Sequence, residues 1–155
     1  MKAIFYSLIL FGCLGCRAEK EWTLTSPDGA VRFVATQVPE GEETTILQYS
    51  VYCGDSLVIN PSRLGLVMDG IEYGKDARPA GKAVVKTMNE PYELKAGKQL
   101  RTVNACREMT IPFEGFQLIV RAYDDGIAFR YAFTQEDDGK QHTITDELTE
   151  FSVPA

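Results

Sequence analysis

The residue types that could carry out catalysis in this sequence are carboxylates, and they cluster at two places. One cluster is Asp124-Asp125 and the other is Glu136-Asp137-Asp138. A carboxylate-rich loop could hold calcium, and two carboxylates about 5–10 Å apart across a cleft could hydrolyse a glycosidic bond. Neither cluster has the D-x-D-x-D-G spacing of a calcium loop, and both are typical of tight turns and solvated loops. The residues alone therefore assign no catalytic residue and no metal ligand.

Other chemistry is limited by a single histidine and by the charge balance. His142 is the only histidine, so no histidine pair can bind a metal within one chain, and a Ser-His-Asp triad would need this residue. It lies in a polar stretch, which predicts an exposed side chain. The 22 acidic residues outnumber the 16 basic ones, the net charge is −6 and no basic cluster is present, which argues against a nucleic-acid partner. Four aromatic residues could stack on sugar rings, although core packing is their commoner role: Trp22, Tyr49, Tyr52 and Tyr123.

The N-terminal segment has the features of an export signal. Residues 3–12 are uncharged and mostly apolar, which suits a signal-peptide core and is too short to span a bilayer. Cys13 follows Gly12 directly, as in bacterial lipoprotein processing sites, where lipid is attached to the sulfur of the new N-terminal cysteine. Cys16 is an alternative site with a poorer match, and an ordinary cleaved signal is another alternative. We predict that residues 1–18 are a lipoprotein-type signal segment, with export to the periplasm or outer membrane and a lipid anchor as the sole membrane contact.

Export would place the remaining cysteines, Cys53 and Cys106, in an oxidising compartment. They could form a disulfide if their Cα atoms approach within about 4.4–6.8 Å. The alternative is two buried free thiols in strands. The sequence leaves both alternatives open.

Beyond residue 20 the apolar residues alternate with period 2, as in half-buried strands. The clearest stretches are 45–53, 116–122 and 127–133, and no sustained period of 3.6 is present. Turn sequences separate these stretches, and Asp124-Asp125-Gly126 predicts a hairpin with a positive φ at Gly126. About nine to eleven closely spaced strands predict one all-β domain, an antiparallel β-sandwich. Apolar residues continue to Val153, which predicts an incomplete sandwich from a longer protein, although a short final strand would look the same.

Several motifs, in this order, resemble the N-terminal domain of glycoside hydrolase family 97, a family of bacterial exo-acting α-glucosidases and α-galactosidases. The most specific is Val120–Tyr131, VRAYDDGIAFRY. The others are Thr25–Gly29, Tyr49–Val51, Val58–Leu66 and Glu147–Phe151. The sequence departs from the family at Cys106–Met109, where only Glu108 of the usual Tyr-Asn-Glu-Leu is kept.

The resemblance implies a β-sandwich related to galactose mutarotase-like super-sandwiches over residues 19–155. In the family this domain precedes a (β/α)₈ barrel that contains the catalytic glutamates and most calcium ligands. A barrel alone takes about 250 residues, so no catalytic residue or cofactor is expected in this chain. The implied function is a non-catalytic sandwich that packs on the barrel and borders its cleft, with an α-glucoside or α-galactoside oligosaccharide as a further partner. A free-standing, lipid-anchored carbohydrate-binding or adhesion sandwich of the cell envelope is the alternative.

Overall fold

The computed structural model describes residues 20–93, 101–133 and 139–155, which leaves Cys13, Cys16 and Glu136–Asp138 outside the described residues. The described residues form eleven strands and no helix, so none of their segments is a helix that could cross a membrane. The strands are β1 Lys20–Thr25, β2 Val31–Glu40, β3 Thr44–Cys53, β4 Ser56–Leu64, β5 Leu66–Met68, β6 Ile71–Tyr73, β7 Val84–Glu93, β8 Arg101–Phe113, β9 Phe116–Tyr123, β10 Gly126–Phe133 and β11 Ile144–Glu147.

All strand pairings are antiparallel, and the strands form three sheets. The first sheet has the order β1-β2-β3-β4, the second β10-β9-β8-β7 and the third β11-β5-β6. The first two sheets face each other, with β1 against β8 and β9, and β2 against β9 and β10. The predicted all-β antiparallel sandwich is therefore confirmed.

The core lies between these two sheets, and β9 shows why the sequence forms them. Phe116, Leu118, Val120 and Ala122 alternate along β9, and each is at most 1% exposed. Because successive side chains of a strand point to opposite faces, this alternation places the whole apolar row in the core.

The predicted hairpin at residues 124–126 is present, but the prediction for Gly126 is wrong. Gly126 pairs with Tyr123 as the first residue of β10, and its φ is not positive. The backbone is extended there because the two-residue loop consists of Asp124 and Asp125 alone. In the β5–β6 turn, by contrast, both loop residues are left-handed: Asp69 has φ 52° and Gly70 has φ 77°.

Residues 148–155 are not a strand, although the sequence predicted strand structure there. Residues 148–152 instead run as an extended segment along the free edge of β4. The backbone nitrogens of Leu148 and Glu150 donate to the carbonyl oxygens of Gly65 and Arg63, at 2.9 and 3.0 Å. The backbone nitrogen of Asn60 donates to the carbonyl oxygen of Ser152 at 2.8 Å. The segment thus extends the first sheet beyond β4.

Candidate functional site

A buried glutamate, Glu108, lies on the outer face of the second sheet, the face turned away from the core, and is held by two ion pairs. The register pairs Lys86 of β7 with Glu108 of β8, and Glu108 with Arg121 of β9. Lys86 Nζ lies 2.8 Å from Glu108 Oε1, and Arg121 Nε lies 2.6 Å from Oε2. Burial raises the pKa of Glu108, but the hydrogen bonds and charges of Lys86 and Arg121 outweigh it and hold the pKa below its ordinary value. An acid fixed in its ionised form stabilises three strands and is unsuited to proton transfer near neutral pH.

A shallow depression of about 250 Å³ adjoins this ion triad on the outer face. Its lining comes from β9 and β10: Ile119, Arg121, Tyr123, Ala128, Phe129 and Arg130. Arg121 and Arg130 supply guanidinium donors, and half-buried Tyr123 supplies an aromatic ring. These groups can hydrogen-bond and stack on a small polar molecule, but the depression contains no carboxylate in its lining.

Asp124 of the β9–β10 turn has a structural role. Asp124 Oδ1 accepts a hydrogen bond from the backbone nitrogen of Asp28 at 3.0 Å, which joins this turn to the β1–β2 turn. Asp28 itself accepts from the Ser26 hydroxyl at 2.6 Å and from the Ala30 amide at 2.9 Å. The Ser26 and Ala30 hydrogen bonds lower the pKa of Asp28.

Glu147, the first residue of the Glu147–Phe151 motif, also accepts a hydrogen bond from the backbone. Its Oε1 accepts from the Thr149 amide at 3.1 Å. It lies on β11 in the third sheet, whereas Glu108 lies on the second. Within the described ranges, no group of three or more His, Cys, Asp or Glu residues is placed to hold a metal ion.

The four candidate aromatics differ in their surroundings. Tyr49 is buried in the core, and Trp22 is half-buried, with its ring 5.5 Å from the ring of Phe113. Tyr52 lies under the guanidinium of Arg32, at 4.0 Å. Of these four, Tyr123 alone lines the outer-face depression.

His142 is exposed, as the sequence predicted, and it has a specific contact. Its Nδ1 lies 2.6 Å from Oδ2 of Asp69, in the left-handed β5–β6 turn. Asp69 Oδ1 also accepts from the Thr143 amide at 2.9 Å. The Thr143 and His142 hydrogen bonds lower the pKa of Asp69. The contact attaches residues 142–143 to the third sheet.

Cys53 and Cys106 are both free thiols, so the disulfide alternative is not formed in this structure. They lie in different sheets, Cys53 on β3 and Cys106 on β8. Cys106 is fully buried, but Cys53 is exposed because it is the last residue of its strand, next to the β3–β4 turn.

Sequence reasoning did not find the ion triad or the outer-face depression. The alternation of β9 places Arg121 on the face that does not contain the apolar row, which predicts a side chain pointing away from the core. Its pairing with Glu108 depends on the β8–β9 register, which no local pattern supplies.

Comparison with known proteins identifies relatives and solved structures that share this architecture. The chain is 27% identical over 161 aligned residues to a retaining α-galactosidase of Bacteroides thetaiotaomicron, covering 100% of this chain and 22% of the relative. A glycoside hydrolase family 97 enzyme from Pseudoalteromonas sp. strain K8, solved with panose, has a TM-score of 0.69 and 26% identity, covering 85% of this chain and 20% of that one.

A β-arabinopyranosidase has the same fold, with a TM-score of 0.72 at 22% identity, over 86% of this chain and 21% of that one. The chain thus spans about a fifth of the length of these relatives. Residues 24–155 match the family described as glycosyl-hydrolase 97 N-terminal. This chain belongs to the N-terminal domain family of glycoside hydrolase family 97.

Proposed function

We propose that this chain is the non-catalytic N-terminal β-sandwich of an α-glycosidase of the α-galactosidase or α-glucosidase type. It packs on a catalytic barrel and borders the barrel's substrate cleft. The observation that carries the proposal is the family match over residues 24–155 in a chain that covers only 22% of a retaining α-galactosidase. The matches lend no support to the free-standing adhesion alternative.

The contacts that Glu108, Asp124 and Glu147 make support a non-catalytic role. Glycoside hydrolysis uses two carboxylates across the scissile bond, one of them with a raised pKa. Glu108 has a lowered pKa and is held by two cations, and Asp124 and Glu147 accept hydrogen bonds from backbone amides. In the proposed enzyme, the catalytic acids and calcium belong to the barrel.

Carbohydrate contact by this chain would fall at the outer-face depression. Its Tyr123 ring and its Arg121 and Arg130 guanidiniums are the groups that stack on a sugar ring and donate to its hydroxyls. Carbohydrate as a ligand class is supported by the panose complex of the Pseudoalteromonas enzyme.

The test is a chimera. The region of the Bacteroides α-galactosidase that aligns with this chain is replaced by the chain, and turnover of p-nitrophenyl α-galactoside and α-glucoside is measured with and without calcium. We expect turnover by the chimera and none by the chain alone or by the relative lacking the region. Turnover that follows the isolated chain through purification would contradict the non-catalytic role. A folded but inactive chimera would contradict the proposed packing on the barrel.

A further inference from the structure

The polar side chains of the outer-face depression are suited to an acceptor. Arg121 and Arg130 have guanidinium donors and no acceptor, and among the described residues of the lining Tyr123 has the sole side-chain oxygen. The other described residues of the lining are apolar: Ile119, Ala128 and Phe129. A sugar hydroxyl both donates and accepts a hydrogen bond, whereas a carboxylate only accepts. The depression therefore matches a carboxylate better than a set of neutral hydroxyls.

The pairing register places the two arginines on either side of a gap. Arg121 of β9 pairs with Ala128 of β10, and Arg130 of β10 pairs with Ile119 of β9. The two arginines are thus diagonal neighbours on the outer face, and such neighbours lie about 7–8 Å apart. Because Ala128 has only a methyl group, the space opposite Arg121 is not filled by a longer side chain. A carboxylate in this space can accept hydrogen bonds from both guanidiniums.

The depression is positively charged, although the chain has a net charge of −6. In the ion triad, Lys86 balances the charge of Glu108, so the charge of Arg121 is in excess. The bond from Arg121 Nε to Glu108 Oε2 also holds this guanidinium in one orientation. Arg130 is exposed, and no acid of the described ranges forms an ion pair with it. The two positive charges repel each other, and an anion between them would remove that repulsion.

We propose that the outer-face depression binds a saccharide with a carboxylate substituent, that is, a uronic acid residue. The carboxylate lies between Arg121 and Arg130, and the ring of Tyr123 stacks on the sugar. The volume of about 250 Å³ is below that of pockets for drug-sized ligands, so one sugar residue is bound. This inference rests on the proposed function, because it specifies which sugar the depression contacts.

Isothermal titration calorimetry of the full chain tests the charge of the ligand. The probes are the methyl α-glycosides of galacturonic acid and of galactose, which differ only in the carboxylate at C6. At low ionic strength we expect the uronate to bind about tenfold or more tightly, with an advantage that falls as salt is added. Equal affinities would overturn the acidic ligand and support contact with a neutral sugar. Binding of neither glycoside would overturn this inference and the proposed carbohydrate contact together.

The variant Arg130→Gln tests the site and leaves the ion triad in place. We expect it to weaken uronate binding about tenfold or more, because one charged donor is lost. The matched control is Arg32→Gln on the first sheet, which also removes an arginine beside an aromatic ring, that of Tyr52. Unchanged binding by Arg130→Gln, or an equal loss in the control, would overturn the assigned site.

Acetate at the same ionic strength distinguishes a sugar from a free anion. We expect acetate to bind about fivefold or more weakly than the uronate, and Tyr123→Leu to weaken uronate binding alone. Acetate binding as tight as that of the uronate would overturn the saccharide.

The chimera separates this inference from the proposed packing on a barrel. Selective uronate binding by the chain together with a folded, inactive chimera would support the acidic sugar and contradict the packing. An active chimera together with equal affinities for the two glycosides would support the packing and contradict the acidic sugar.

Discussion

The hydroxyl of Tyr49, on the buried strand β3, donates a hydrogen bond to the backbone carbonyl oxygen of Glu150, 101 residues later and 2.9 Å away. This bond attaches the extended C-terminal segment to the core of the first sheet. Burial raises the pKa of Tyr49, so the hydroxyl keeps its proton and remains a donor.

We expect Tyr49→Phe to lower the free energy of unfolding by about 1 kcal/mol, because the buried ring is kept and one hydrogen bond is lost. Urea denaturation measures the change. Tyr52→Phe is the control, since its ring keeps the contact with Arg32, and it should have little effect. Equal losses in both variants would show that the Glu150 contact contributes nothing specific.

The Glu108 ion triad should make stability depend on acid pH. The folded-state pKa of Glu108 is lowered from the ordinary value of 4.5, so its contribution is complete above that value and is lost as pH falls through the folded pKa. Glu108→Gln should lower the free energy of unfolding by about 2 kcal/mol at pH 7, because it leaves Lys86 and Arg121 without the carboxylate.

Glu108→Gln should lose less stability than the wild type as the pH falls from about 5 to about 3, because this range begins just above the ordinary carboxyl pKa and extends below it, towards the lowered folded-state pKa. Urea titrations across this range measure it. The control is Glu114→Gln, on the exposed β8–β9 turn, which should keep the wild-type profile. An unchanged acid profile in Glu108→Gln would contradict the role of the triad.

Gly74 should tolerate no side chain. Its φ is +105°, and a Cβ there would collide with the carbonyl oxygen of Leu64 and lie 3.0 Å from Cα of Gly65. Gly74→Ala should therefore cost about 2 kcal/mol or more. Gly126→Ala is the control, because its φ is not positive and no atom lies within 4 Å of the added Cβ. Thermal denaturation should show a large fall in Tm for the first variant and little change for the second; the reverse order would contradict the assigned turn geometry.

The two thiols should differ in reactivity. In a chain with Cys13 and Cys16 replaced by serine, we expect Cys53 to react with Ellman's reagent in the native state, because it is exposed. Buried Cys106 should react only after unfolding. Two unreactive thiols in urea without reductant would indicate a disulfide and contradict the free state of both.

Lipidation at Cys13 remains a prediction from the sequence. Incorporation of radiolabelled palmitate in a bacterial host should be lost in Cys13→Ala and kept in Cys16→Ala. The reverse pattern would move the site to Cys16, and no label in the wild type would contradict a lipid anchor.

The sequence by itself determined the class of fold, because alternation is a local property that each strand displays alone. The buried row of β9, Phe116 to Ala122, follows directly from period 2. The turn at Ser26–Gly29 follows in the same way, because Gly29, with φ 80°, supplies the left-handed residue that the turn needs. The family resemblance also depends on short motifs in a fixed order, which are readable without coordinates.

Only the tertiary structure decided which residues meet across strands. Asp-Gly pairs stand at 69–70 and at 125–126, but the pairing register places Asp69-Gly70 in a loop and Gly126 in β10. Glu108 is buried because two neighbouring strands each bring a cation to it, a consequence of register that its own strand does not encode. Such contacts depend on long-range packing, which single-strand periodicity does not specify.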